Sequence, residues 1–253
     1  MSKYAIGIDI GGTGIKGGLV DLKSGELVGE RIRIETPTGG EPDAIANAVV
    51  KVLTQLPQTD PQTPVGICFP AVVKHGVTMS AANVSKAWIG LDAEKLFTQK
   101  LNRKVHIVND ADAAGVAEMK FGAGKKKRGL VIMTTLGTGI GTALFIKGIL
   151  VPNAELGHLE IGGVDYETKA AYSAKENEDL TMVEWAQRLQ IYYSNLERLF
   201  TPDLFIVGGG ISKHHEKFLP LLRLNTEIVP ATKRNNAGIL GAAVLAHKTK
   251  TDE

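Results

Sequence analysis

The sequence predicts an α/β protein of two lobes, each built on a mixed sheet. Three observations point there: a three-strand meander followed by helix–strand alternation, a second strand, glycine turn, strand unit in the later half, and a length of 253 residues, enough for two compact lobes. Residues 4–10 alternate like a strand, residues 11–14 form a glycine turn, and residues 15–20 and 27–34 read as two further strands around the turn Lys23-Ser24-Gly25. Between Pro42 and Leu56 the apolar positions Ile45, Ala46, Val49, Val50, Val52, Leu53 and Leu56 follow a helical period, which Pro57 ends. A buried strand over 65–70, a helix over 91–101, a strand over 105–108 and a helix from about 111 to 121 complete the first alternation.

The pattern then restarts. Residues 130–136 read as a strand, 137–141 as a glycine turn and 143–146 as another strand, so a hydroxyl and several glycines stand at a hairpin tip in both halves. A helix carrying Trp185, Leu189 and Leu196 leads to a strand over 204–207 and the run Gly208-Gly209-Gly210; a last apolar helix spans 239–246. The expected division is a small lobe over 1–108, joined by the C-terminal helix at about 238–253, and a large lobe over 109–237, with both glycine tips facing one cleft.

Composition narrows the function. A net charge of +2 gives no general attraction to nucleic acid or membrane, and no apolar run reaches the length of a membrane span. The single Cys68 excludes an internal disulfide framework or a cysteine-cluster metal site. The first residues run into a strand without an apolar leader, so the chain is expected in the cytoplasm, with neither nucleic acid nor membrane as a partner.

Glycine turns let successive backbone N–H groups approach phosphate oxygens, where a Cβ would intrude. Gly11, Gly12, Thr13 and Gly14 form one such candidate turn, with Lys16 adding charge, and Gly137, Thr138 and Gly139 form the second. Asp9 is placed to orient Mg²⁺ or its bound water indirectly. Gly12, Gly14 and Gly17 spell a dinucleotide fingerprint, but that motif must open a helix, and here a strand and hairpin follow. No Walker A loop occurs. Asn109-Asp110 lies where a strand ends and a helix begins, at the sheet end where α/β proteins place ligands; Asp110 suits a base for an alcohol in phosphoryl transfer, and either residue also suits a helix N-cap. Glu155 and His158 can hydrogen-bond adjacent sugar hydroxyls, while a capped turn or, with Glu160, a metal site is the alternative.

Together, Asp9-Ile-Gly-Gly-Thr-Gly14, Asn109-Asp110-Ala111, Leu136-Gly-Thr-Gly-Ile-Gly141, Glu155-x-Gly-His158 and Val207-Gly-Gly-Gly-Ile-Ser212 resemble the ROK sugar kinases over nearly the whole chain. The stretches 154–161 and 205–213 are most similar to the branch of bacterial polyphosphate glucokinases. The resemblance implies an actin-like ATPase (ribonuclease H-like) fold and a hexokinase moving a phosphoryl group from polyphosphate, ATP or both to the 6-hydroxyl of glucose or mannose. It implies Asp110 as base, Asn109, Glu155 and His158 as sugar ligands, with Glu167 and Asn83 as further sugar contacts. Most ROK kinases follow the His with a cysteine-rich zinc loop; residues 161–167 contain no cysteine, and zinc is not expected.

Lys125, Lys126, Lys127 and Arg128 pack four cations between glycine turns, a track suited to polyphosphate, or an ordinary solvated loop. Gly209 and Gly210 mark a candidate purine-side turn for ATP. An ATP-only ROK kinase and a non-catalytic sugar sensor stand as alternatives, and a homodimer remains open. A ROK repressor needs a DNA-binding helix-turn-helix, for which a first strand beginning at Tyr4 leaves no room.

Overall fold

Ile6, Ile8 and Ile10 point into the protein from β1 (Tyr4–Ile10), the middle strand of the first sheet, and are almost wholly buried. β2 (Ile15–Asp21) returns antiparallel with Ile15 opposite Ile10, and β3 (Glu26–Ile34) pairs with β2 through a register shift between Gly17 and Leu19. α1 (Pro42–Gln55) then crosses over and buries Ile45, Val49 and Val52 against this sheet. β4 (Val65–Phe69) lies parallel to β1, the short strands β5 (Val73–Lys74) and β6 (Val77–Thr78) form a separate hairpin, and α2 (Ala93–Leu101) leads to β7 (Val105–Asn109). The sheet order is β3-β2-β1-β4-β7. α3 (Asp110–Phe121) starts directly after β7.

These features come from a computed structural model that describes residues 3–57 and 59–251. It divides into two units, residues 1–117 with 236–253 and residues 118–235, so the boundary falls inside α3 between Ala117 and Glu118. β7 is a paired strand of the first sheet, and the helix that grows from its end begins in the same unit.

The last helix, α7 (Ala237–Thr251), belongs to the first unit. Ile239, Leu240, Ala242, Ala243 and Val244 are all buried, a run that closes off a full turn and marks a helix surrounded by protein. Its backbone sits directly on the sheet: a Cβ on Gly7 would lie 1.9 Å from the Ile239 carbonyl oxygen, and one on Gly66 2.0 Å from that of Ala242. Only glycine fits at those two strand positions.

The second unit repeats the strand plan. β8 (Leu130–Leu136), β9 (Ile140–Ile146) and β10 (Ile149–Val151) form an antiparallel meander. β9 begins at Ile140, earlier than the expected 143, because Ile140 and Gly141 already pair with Leu136 and Thr135 across a turn confined to 137–139. The two-residue strands β11 (Glu160–Ile161) and β12 (Val164–Asp165) make a small hairpin, followed by the short helices α4 (Glu167–Ala170) and α5 (Tyr172–Asn177). α6 (Met182–Phe200) opens with a capping box between Thr181 and Glu184 and buries Trp185, Leu189, Tyr192, Tyr193 and Leu196. At about 2 kcal/mol for each such side chain, this one face outweighs any surface pairing in the unit. β13 (Leu204–Gly208) and β14 (Ile228–Pro230) add parallel to β8, giving the order β10-β9-β8-β13-β14. Both sheets thus carry three antiparallel strands and then two parallel ones. Among the described residues no helix is long and apolar enough to cross a membrane.

Candidate active site

In the first unit the turn at 11–14 is closed by the Gly11 N–H donating to the Gly14 carbonyl at 3.1 Å. Two of its other carbonyls are tied from outside: the Thr36 hydroxyl donates to Gly11 O at 2.5 Å and Arg33 donates to Thr13 O at 3.3 Å. Engaged carbonyls hold the turn in one shape, and Arg33 brings a guanidinium to it. Sequence reading missed Arg33, which stands 20 residues away on β3. Asn83 is beside the same turn, its Cβ 3.5 Å from where a Cβ on Gly12 would stand.

Asp9, at the end of β1, receives Lys16 Nζ on Oδ2 at 3.1 Å and faces Cys68 Sγ from Oδ1 at 3.5 Å. Burial pushes the Cys68 thiol well up, and the charges of Asp9 and Asp110 add to that, so Cys68 stays a neutral donor. Both carboxylates therefore act on one buried sulfur, which places Asp110 close to the Asp9 turn within this unit.

Asn109 is the last residue of β7 and is buried. Its side-chain oxygen accepts from the backbone N–H groups of Ala111 at 2.8 Å and Asp112 at 3.0 Å, and its amide donates to Ala71 O at 3.1 Å. Asn109 thus caps α3 and leaves one amide hydrogen to offer a ligand. Asp110 is exposed, with Oδ1 accepting from Ala111 N at 2.8 Å. Capping is shared, so Asp110 is not the sole support of the helix start.

In the second unit the turn at 137–139 is clamped by Ser173, which sequence reading did not single out, and by Glu167, which the family resemblance implies as a sugar contact. The Ser173 N–H donates to Gly137 O at 3.1 Å and its hydroxyl to Thr138 O at 2.6 Å. Glu167 Oε2 accepts the Ile140 N–H at 2.6 Å, so close to the turn that a Cβ on Gly139 would lie 2.5 Å from it. Glu167 therefore buttresses the phosphate-type turn as well as standing near the sugar-type residues. Glu155 and His158 flank the short turn Leu156–His158. Protein around the Glu155 carboxyl strips away solvent and raises its pKa; His158 opposes the shift and Glu167 adds to it. His158 Nδ1 meets Asp165 Oδ2 at 2.8 Å, which raises the imidazole pKa, with burial opposing and Glu167 and Glu155 assisting. Gly209, at φ +84°, presses on Leu136, and Gly210 begins the irregular helical turn that holds Ser212. The Ser212 hydroxyl donates to Gly209 O at 2.8 Å.

The cationic segment is anchored on both sides. Leu130 N donates to Asp203 Oδ2 at 2.7 Å after it, and Ala123 N donates to Glu118 Oε2 at 2.8 Å before it. Lys125, Lys126, Lys127 and Arg128 are exposed, and Lys127 Nζ is paired with Glu227 Oε2 at 2.6 Å.

A family model described as ROK family matches residues 5–172. The chain belongs to the ROK family. Among ROK relatives, it is 47% identical over 243 residues to the polyphosphate glucokinase of Mycobacterium tuberculosis (strain CDC 1551 / Oshkosh), covering 96% of this chain and 91% of that protein. The polyphosphate glucokinase of Mycobacterium leprae (strain TN) is 45% identical over 94% of this chain and 73% of its own length. The crystal structure of the inorganic polyphosphate/ATP-glucomannokinase from Arthrobacter sp. strain KM superposes with a TM-score of 0.93 at 53% identity, covering 98% of this chain and all (100%) of that one. A ROK glucokinase from Streptomyces griseus, solved with glucose and AMPPNP, shares the fold at a TM-score of 0.78 and 24% identity, over 97% of this chain and 99% of that one. The fold is the α/β actin-like ATPase fold expected from the sequence. One ROK feature does not fit these residues. The segment after His158 has no cysteine, and its carboxylate Asp165 is already on the imidazole, so the zinc loop of other members has no ligand set here.

Proposed function

We propose that this ROK protein is a cytoplasmic glucokinase that transfers a phosphoryl group from inorganic polyphosphate, ATP or both to the 6-hydroxyl of glucose, with mannose as a second acceptor. The observation that carries the reading is the exposed Asp110 carboxylate at the head of α3, held beside a capping Asn109 that keeps the helix start intact without it. Phosphoryl transfer to an alcohol needs positioning, neutralisation of charge and an acceptor for the hydroxyl proton. Asp110 takes that proton. Asn109, Asn83, Glu155, His158 and Glu167 direct the sugar hydroxyls with mixed donors and acceptors.

The turns at Gly11–Gly14 and Gly137–Gly139 hold donor phosphates by backbone N–H groups and the hydroxyls of Thr13 and Thr138, with Lys16 adding a cation. Gly209 and Gly210 serve the purine side when ATP is the donor. Asp9 fits an indirect hold on Mg²⁺, since its carboxylate is oriented by Lys16 and Cys68; the ion would neutralise donor charge. Lys125, Lys126, Lys127 and Arg128 guide polyphosphate.

Formation of glucose 6-phosphate by the purified protein with Mg²⁺ and polyphosphate, ATP or no donor tests the proposal. Product with polyphosphate supports it. Product with ATP alone reduces it to an ATP-dependent ROK kinase, and glucose binding without product turns it into a sensor. Mannose in place of glucose tests the second acceptor, and light scattering on the same sample tests a homodimer.

A further inference from the structure

His158 is the last residue of a short helical turn, with a side chain more than half exposed, so packing alone does not fix its ring. Asp165 is brought to it by the β11–β12 hairpin. Glu160 pairs with Asp165 and Ile161 with Val164, and the two residues between them are Gly162 and Gly163, both at positive φ (62° and 77°). Glycine adopts positive φ at both positions without strain, and the tight turn returns the chain so that Asp165 faces His158. The hairpin is closed by Tyr166 N donating to Leu159 O at 3.1 Å. Asp165 itself is fixed twice more: the Glu167 N–H donates to its Oδ1 at 3.2 Å, and the Thr168 hydroxyl donates to its carbonyl at 2.7 Å.

A carboxylate can only accept. The contact between Asp165 Oδ2 and His158 Nδ1 therefore puts the ring proton on Nδ1, whatever the state of the other nitrogen. We infer that Asp165 is the positioning residue for His158: it fixes the ring plane and the Nδ1–H tautomer, so that Nε2 presents a lone pair to a sugar hydroxyl. This rests on the proposed reading of His158 as a sugar ligand. The same loop then reaches the phosphate-type turn, because Glu167, whose backbone is bound to Asp165, accepts from Ile140 N with its side chain. Orientation of the sugar ligand and bracing of the donor turn share one short segment. The groups that bear on the ring are Asp165, Glu167 and Glu155, all acidic, and each favours the protonated imidazole.

The test uses the full-length protein with ¹⁵N-labelled histidine, the His158 signal being assigned by its loss in His158→Gln. The wild type is expected to show the Nδ1–H tautomer above its titration midpoint. Asp165→Ala should convert it to the Nε2–H form that free imidazole prefers and raise the glucose KM by about 10-fold or more, with kcat changed less. Asp165→Asn keeps an acceptor oxygen, so it should retain the tautomer and most of the glucose KM while the midpoint falls. An unchanged tautomer or an unchanged glucose KM in Asp165→Ala would overturn the inference, as would equal damage from Ala and Asn. A wild type that phosphorylates no glucose would overturn the functional reading instead, and the tautomer would still decide what Asp165 does.

Discussion

Glu118 and Lys233 are joined by a hydrogen bond of 2.5 Å from the Lys233 backbone N–H to a wholly buried carboxylate. The same side chain accepts from Thr232 N at 2.9 Å, from the Thr232 hydroxyl at 3.1 Å and from Ala123 N at 2.8 Å. One carboxylate thus fastens the start of the cationic segment to the stretch after β14, with hydrogen bonds in place of a cation. Removing it takes away several hydrogen bonds to a charged acceptor, each worth about 1.5–3 kcal/mol. Glu118→Ala should therefore destabilise the second unit by about 3 kcal/mol or more, and Glu118→Gln by less, since the amide keeps one acceptor. Denaturant unfolding monitored by tryptophan fluorescence checks this, Trp185 lying in that unit.

Asp110→Asn separates a base from a cap. The Ala111 N–H is already shared between Asn109 Oδ1 and Asp110 Oδ1, both at 2.8 Å, and an asparagine at 110 preserves an acceptor there. Stability should change by no more than about 1 kcal/mol, the share due to lost charge at a helix start. Turnover should fall by about 10²-fold or more while glucose affinity is kept, because only proton acceptance is removed. Glucose binding by calorimetry beside kcat measures both; a loss of binding equal to the loss of turnover would show a sugar-positioning role in place of a base.

What could be read from the sequence was local. The β1–β2 hairpin is legible because an alternating strand, a glycine turn and a second strand follow within seventeen residues, Tyr4 to Val20, and α1 because seven apolar residues keep one period up to Pro57. β14 is three residues long and exists through its pairing with β13, and β11 and β12 are two residues each, too short to show alternation. α4 and α5 are likewise placed by tertiary contacts, Ser173 on the turn at Gly137 and Thr138 among them. The candidate site divides the same way. Glycine turns and Asn109-Asp110 announce themselves by spacing, whereas Arg33 reaches Thr13 across the sheet and Glu118 reaches Lys233 over more than a hundred residues (115). Residues that hold other residues leave no mark in a local pattern.

The raised pKa of Glu155 gives glucose binding an acid limb displaced toward neutrality. Loss of solvent around the carboxyl, then Glu167, favours the protonated form, against the pull of His158. As pH falls, Glu155 takes up its proton before an ordinary glutamate near about 4.3 would, and an acceptor for sugar hydroxyls is lost. For stability the sign is opposite to that of a paired carboxylate: the folded protein binds this proton more tightly, so its contribution is present below the unfolded value and is lost as pH rises through the folded one. The glucose KM should rise on acidification above the ordinary glutamate range, and Glu155→Gln should flatten that limb. A KM profile in which the two proteins run parallel would take Glu155 out of sugar binding.

Within the cationic segment the four side chains are not equivalent. Lys127 spends its charge on Glu227 at 2.6 Å, an exposed pair worth little to stability, while Lys125, Lys126 and Arg128 extend the positive surface around it. A polyanion is attracted by net field, and that field is screened by salt over about 10 Å at 0.1 M. Lys125→Ala, Lys126→Ala and Arg128→Ala in combination should therefore raise the polyphosphate KM and flatten its dependence on salt, with the ATP KM much less affected. Lys127→Ala alone should raise it about as much as removal of any one of the three, because it takes away one positive charge and leaves the Glu227 carboxylate unpaired, and Lys127→Ala with Glu227→Gln should return the polyphosphate KM close to the wild type. Initial rates with each donor across a salt series decide the matter. Equal losses for ATP and polyphosphate would reduce the segment to a structural loop, and a dominant effect of Lys127 would mean that its pair with Glu227 opens when the donor binds.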